Sequence, residues 1–178
     1  ALRPSVRAAS VGTQRNFYIT AYEGAATSTV FPNNQITARC VAATSQLYIY
    51  VDNAITSPDY NFISQVTQRF ENGIGPAIRD AFGDEPTSGP DGDSHLTILL
   101  TDAMRSSIIG LFYGVDLYHR DATDIQLRES NECKMLYLRY SANGINDATR
   151  YGTVAHEFQH MVNFHEKQSA GGTSTYEE

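Results

Sequence analysis

The feature that most constrains this chain is a His-Glu-x-x-His pattern inside an apolar run at residues 154–162. Apolar side chains such as Phe158 and Val162 recur in the run at helical spacing, which predicts an α-helix with one face packed into a core. Residues four positions apart on a helix point to the same side. The pattern therefore predicts that His156 and His160 project together from one face of this helix.

This arrangement of side chains suits a catalytic metal site. Two imidazoles one helical turn apart are typical ligands of one Zn²⁺ ion, each at about 2.0–2.1 Å. Glu157 is offset from the pair by about 100° on the helix, so its carboxylate can reach a water molecule at the metal without ligating the metal. We interpret His156 and His160 as zinc ligands and Glu157 as a general base. The alternative is a chance match, since histidines four residues apart also occur on ordinary surfaces.

Local signals set the ends and the packing of this helix. Asn146-Asp147 offers an N-cap before its first turn. Gly152 is a weak helix residue, and we expect a close approach of another helix there. At the far end, His165 would project about 140° away from His160 on a continuing helix, which argues against it as a third ligand. Glu166 is expected to be a surface charge.

The rest of the chain reads as strands, a long helix and further strands before the helix that carries the pattern, with no internal repeat. Strand patterns lie at residues 15–22, 36–42, 47–51, 95–102 and 134–140. The second and third of these should form a hairpin. Ser57-Pro58-Asp59 predicts a helix start with a hydroxyl N-cap, and Gly73 and Gly75-Pro76 should weaken that helix near its middle.

This order of elements predicts an α+β fold. We expect a mixed, mostly antiparallel sheet packed against a long helix and the helix that carries the His-Glu-x-x-His pattern. No composition shift suggests a boundary, so residues 1–178 should form a single domain.

Composition excludes several classes of partner. Apolar residues make up 41% of the chain and charged residues 19%, which is typical of a globular protein. The net charge of −7 argues against nucleic acid and anionic membrane surfaces as partners. No apolar run reaches the ~18 residues that a membrane span needs. The small number of lysines favours an exported protein.

Other candidate metal or redox groups receive more ordinary interpretations. Asp91-Gly92-Asp93 could supply carboxylates to Ca²⁺, although a tight turn before a strand is favoured. His95 should be structural or exposed, and His119 should be solvated. The two cysteines, Cys40 and Cys133, allow one disulfide, and the alternative is two buried free thiols.

The chain resembles the hyicolysin-type neutral zinc metallopeptidases, which are secreted bacterial enzymes of the zincin group. Residues 154–163 resemble the active helix of that family. Four segments resemble its strands in the same order, at residues 16–18, 47–52, 97–102 and 135–137. The resemblance implies a zincin-like fold, a secreted location and the hydrolysis of peptide bonds.

The order of elements also resembles the N-terminal half of thermolysin-like domains. By that analogy residues 111–115 form an edge strand beside the cleft, where Phe112, Tyr113 and Gly114 would bind an extended peptide by β-augmentation. The alternative is an ordinary, covered strand.

The sequence departs from the resemblance at the third metal ligand. In related zincins a Glu on a following helix completes the site, in a segment that contains Trp or Asn. Here 18 residues follow His160, without Trp, and they end at Glu177 and Glu178. Because the chain begins at Ala1 without an initiator Met, we expect a fragment of a longer precursor. A second fragment would then supply the third ligand, and Glu178 itself is the alternative.

We therefore expect the N-terminal part of a secreted zinc endopeptidase whose substrates are peptides or proteins. The competing hypothesis is a non-catalytic module, either stabilised by zinc or binding a partner without it.

Overall fold

The computed structural model describes residues 8–19, 34–141 and 146–171. The strands are Gln14–Tyr18 (β1), Gln35–Ala43 (β2), Leu47–Asp52 (β3), Leu96–Thr101 (β4), Gly110–Leu111 (β5) and Met135–Arg139 (β6). The α-helices are Tyr60–Arg69 (α1), Gly75–Phe82 (α2) and Asp147–Ser169 (α3), with a π-helical turn at Phe70–Ile74 and 3₁₀ turns at Gly114–Leu117 and Leu127–Glu129.

The described strands form one sheet in the order β1-β2-β3-β4-β6-β5. β1, β2 and β3 pair antiparallel, β3, β4 and β6 pair parallel, and β5 returns antiparallel along β6 at the edge. The predicted α+β class, with a mixed and mostly antiparallel sheet, is confirmed. The predicted hairpin of the second and third strands is also present, as β2 and β3.

Both faces of the sheet are covered. Leu47, Ile49 and Val51 of β3 face the helices, as the alternation of the strand predicts, and pack with α1 and α3. Tyr48 and Tyr50 point to the other face, where Phe17 of β1 joins a second buried cluster. The central strands therefore lie in a dry environment, and the helices are confined to one face.

The first helix begins two residues later than its sequence suggested. Asp59, not Ser57, is the N-cap, and its Oδ1 accepts hydrogen bonds from the backbone N–H groups of Asn61 (2.9 Å) and Phe62 (3.1 Å). Pro58 thus precedes the cap instead of starting the helix. Asp59 is the N-cap in place of Ser57 because its carboxylate accepts hydrogen bonds from two of the unpaired N–H groups of the first helical turn.

The glycines after α1 change the helix without ending it. The chain passes from α1 through the π-helical turn Phe70–Ile74 into α2, which has Pro76 in its first turn. The predicted weakening near Gly73 therefore takes the form of a wider turn.

The long helix α3 starts where it was predicted. The side chain of Asn146 accepts a 2.9 Å hydrogen bond from the backbone N–H of Thr149. The close packing expected at Gly152 is wrong, because a Cβ built on this residue would meet no atom within 4 Å. Within the described residues, no helix is long and apolar enough to cross a membrane.

The two cysteines are free thiols, so the predicted disulfide is wrong in this structure. Both lie buried in the cluster on the second face of the sheet. The Cys40 thiol donates to the backbone oxygen of Ala42 at 3.3 Å. Burial raises the pKa of the Cys133 thiol to about 12. Both cysteines thus behave as small apolar core residues.

Candidate active site

Helix α3 brings the two histidines of the His-Glu-x-x-His pattern together. The Nε2 atoms of His156 and His160 lie 3.0 Å apart, and their rings are nearly perpendicular with centroids at 4.5 Å. Two nitrogens bound tetrahedrally to one Zn²⁺ ion at 2.0–2.1 Å would be about 3.3 Å apart. The spacing and the accessible position of His156 therefore fit a shared metal ion.

Glu157 is held between α3 and the edge of the sheet. It is largely buried, with 9% of its surface exposed. Its Oε2 accepts a 2.8 Å hydrogen bond from the backbone N–H of Phe112, which directly follows β5. This bond fixes the carboxylate beside the first histidine and links the edge strand directly to the helix.

A groove of about 640 Å³ opens over His156 and Glu157. One wall is the segment before and within β5, at Ser107, Ile108, Ile109 and Gly110, and the other wall is α3, at Thr149, Gly152, Thr153, His156 and Glu157. A second groove, of about 710 Å³, lies between α3 and the first two helices but is lined by neither His156 nor Glu157. The chemistry of the first groove makes it the candidate active site.

The edge strand differs from its sequence-based prediction. It was expected over residues 111–115, but β5 covers only Gly110–Leu111. The Phe112 ring is buried and packs edge-on against Phe164 of α3 with centroids at 5.6 Å. A Cβ on Gly114 would lie 2.6 Å from the same ring. Phe112 and Gly114 therefore face the core, and Tyr113 packs partly buried against the cluster on the second face of the sheet.

The groove wall itself was missed by the sequence interpretation. Ser107 to Gly110 line it, and these residues precede the predicted strand. A glycine inside an apolar run, as in Ile108-Ile109-Gly110-Leu111, is a signal for close backbone approach that could have located the wall.

A buried polar network holds the segment that follows β5. Asp116 accepts hydrogen bonds from the Tyr137 hydroxyl (2.6 Å) and the Asn131 backbone N–H (2.7 Å). The Asn131 side chain in turn accepts from the N–H of Tyr18 at 2.8 Å. Burial raises the pKa of Asp116 to about 7, although these hydrogen bonds lower it. The network fixes residues 114–117 against the sheet.

The remaining candidate ligands lie apart from the groove. Asp93 pairs with His95, whose ring stacks on Tyr48 at 4.2 Å, so His95 is structural. Gly92 has a φ of +79°, and Asp91 Oδ1 accepts from the N–H of Asp93 at 3.1 Å, as expected for a tight turn. His119 is exposed, with its Nδ1 3.5 Å from Glu132.

The surface position expected for Glu166 is confirmed, and its Oε1 accepts from the N–H of Asp84 at 3.2 Å. Among residues 8–19, 34–141 and 146–171, no group of three or more His, Cys, Asp or Glu side chains could hold a metal ion. Glu177 and Glu178, named from the sequence as ligand candidates, lie outside the described residues.

The chain is similar to the neutral metalloprotease ShpI of Staphylococcus hyicus. The two sequences are 32% identical over 123 residues, which is 65% of this chain and 26% of the relative. The chain thus spans about a quarter of the relative's length. No protein-family model matches the chain. The similarity supports a relationship with the metallopeptidases.

Proposed function

We propose that this chain carries the zinc-binding and general-base part of a secreted endopeptidase. The observation that carries the proposal is the convergence of the Nε2 atoms of His156 and His160, 3.0 Å apart, beside the anchored carboxylate of Glu157. His156 and Glu157 line one groove next to a sheet edge, and His160 faces His156 one helical turn further along α3. The similarity to a metalloprotease supports the same conclusion.

Each of the three side chains has a distinct role in this proposal. His156 and His160 hold the zinc ion through Nε2, and a bound zinc ion would polarise the scissile carbonyl and acidify water. Glu157 takes a proton from the attacking water and later returns it to the leaving amine. We assign the proton transfer to Oε1, since Oε2 already accepts the Phe112 N–H.

The substrate is a peptide or protein in extended form. We propose that it lies along β5, the short strand at the edge of the sheet, and adds to it by main-chain hydrogen bonds. Ser107 to Gly110 form the adjoining wall. The predicted substrate-binding role of Phe112 and Gly114 is not part of this proposal, because both pack against Phe164 and the Phe112 N–H is bound by Glu157; Tyr113 remains a candidate.

The metal site needs a third protein ligand, since catalytic zinc sites normally have three. We propose that it comes from outside the described residues. One source is a further segment of a longer precursor, which would also form the opposite wall of the cleft. Glu178 is the alternative.

The decisive experiment is zinc analysis of the purified protein together with hydrolysis of casein, with and without a chelator. We expect bound zinc and hydrolysis that the chelator stops and added zinc restores. Absence of both bound zinc and hydrolysis would instead support the second candidate function, a non-catalytic module that binds a partner without zinc. The finding that favours that candidate is that the described residues hold no group of three metal-binding side chains.

A further inference from the structure

The edge strand approaches α3 unusually closely at Gly110. A Cβ built on this glycine would lie 2.3 Å from Cγ2 of Thr153, 3.1 Å from Cγ of Glu157 and 3.3 Å from the backbone oxygen of Tyr137. The first of these distances is far shorter than any stable contact between carbon atoms. Any side chain at this position would therefore push β5 away from the helix or displace Thr153.

Thr153 has little freedom to move aside. Its Oγ1 donates a 2.9 Å hydrogen bond to the backbone oxygen of Thr149, which fixes the rotamer that directs Cγ2 towards Gly110. On the other side, β5 is tied to β6, because the N–H of Arg139 donates to the backbone oxygen of Ile109 at 2.7 Å. Rotating Thr153 away from Gly110, or moving β5 away from β6, would therefore each break a hydrogen bond.

The close approach has a direct effect on Glu157. Phe112 follows Gly110 by two residues, and its N–H reaches Oε2 of Glu157 at 2.8 Å. Relieving the 2.3 Å contact with Thr153 by moving β5 about 1 Å would stretch this 2.8 Å bond beyond useful hydrogen-bond geometry. The close approach that brings the Phe112 N–H to Glu157 is thus one that a side chain at position 110 would oppose.

We propose that Gly110 is a positioning residue for the general base. By admitting β5 against α3, it lets the Phe112 N–H hold one oxygen of Glu157 and so orient the other. This inference rests on the proposed function, in which Glu157 transfers the proton. A small displacement of a catalytic group lowers the rate of the chemical step and leaves substrate affinity unchanged. A substitution at Gly110 should therefore lower kcat and leave KM as it is.

The test is Gly110→Ala alone and combined with Thr153→Ser, which removes Cγ2 but keeps the hydroxyl. Gly73→Ala is the matched control, because a Cβ there meets no atom within 4 Å. Amide hydrogen exchange at Phe112 is followed by NMR, and kcat, KM and zinc content are measured on the same samples. If Gly110→Ala alone does not fold, the same quantities are compared between the double variant and the single variant Thr153→Ser.

We expect Gly110→Ala to raise the exchange rate of the Phe112 amide at least ~10-fold and to lower kcat by ~10–10²-fold, with KM and zinc content unchanged. Thr153→Ser should restore a large part of both losses, and Gly73→Ala should match the wild type. Faster exchange with an unchanged kcat would overturn the positioning role and leave the proposed function intact. A zinc-loaded wild-type protein that hydrolyses no peptide would overturn the proposed function, and the positioning role with it.

Discussion

The hydroxyl of Tyr137 donates a 2.6 Å hydrogen bond to Oδ2 of Asp116, and both residues are buried. The bond joins β6 to the segment that follows β5. Burial raises the pKa of Asp116 from 3.8 to about 7. The positive charge of Arg15 acts against this shift by lowering the pKa of Asp116.

A pH dependence of stability follows from this raised pKa. Between about pH 4 and about pH 7 the folded chain keeps the Asp116 proton that the unfolded chain has released. Stability therefore falls as the pH rises through this range, because the unfolded state binds fewer protons. Urea unfolding from pH 4.5 to 7.5 should show that Asp116→Asn gains stability relative to the wild type as the pH rises. The exposed Asp80→Asn is the control, and parallel curves for all three proteins would contradict the prediction.

Zinc binding should depend on both histidines of α3. His156→Ala and His160→Ala are each expected to abolish stoichiometric zinc, because a single remaining imidazole binds the ion weakly. Zinc content after dialysis measures this directly. His119→Ala, at an exposed loop position, should retain zinc. Wild-type zinc content in both α3 variants would rule out the metal assignment.

Glu157 should act in turnover and not in metal binding. Glu157→Gln is expected to keep zinc but to lose at least ~10²-fold in kcat, the usual scale for removal of a general base. The amide oxygen of glutamine can still accept the Phe112 N–H, so the fold should be preserved. Glu166→Gln, on the exposed part of the same helix, should hydrolyse peptides at the wild-type rate. Normal turnover by Glu157→Gln would remove the carboxylate from the mechanism.

The cysteines should react only when the protein unfolds. Burial raises the pKa of both thiols, so alkylation of the folded protein should be slow. In denaturant without reductant, intact-mass analysis should show that both Cys40 and Cys133 carry the label. An unlabelled protein that reacts only after reduction would establish the disulfide that this structure lacks.

Features encoded in short stretches of sequence were predictable. The Asn146 cap follows from the residue type before the helix, and the shared face of His156 and His160 follows from helical periodicity. The β2–β3 hairpin follows from the alternation of apolar and polar residues. Features that depend on distant contacts were not. β5 is short because the Phe112 N–H turns to Glu157, 45 positions along the chain. The free cysteines follow from how the second face of the sheet packs.

The N-cap of α1, which is Asp59 and not Ser57, shows a second limit of prediction from sequence. Both residues are good N-caps, and sequence preference alone does not separate them. Two backbone N–H groups converge on one Asp59 oxygen, and this geometry decides the start of α1. Sequence also located the groove only approximately, since its wall at Ser107 to Gly110 is set by packing against α3.

The parallel pairing at the centre of the sheet has a consequence for how the chain reaches its fold. Ile49 pairs with Ile98, 49 positions away, and Ile98 pairs with Leu136. Closing such large loops loses chain entropy before any contact is gained, so folding should be slow. The β1–β3 meander can form early, whereas α3 docks on a sheet that needs all of β6. The histidine pair can form with α3 itself, but the hydrogen bond between Glu157 and the Phe112 N–H spans 45 positions, so we expect the general base to be positioned late in folding.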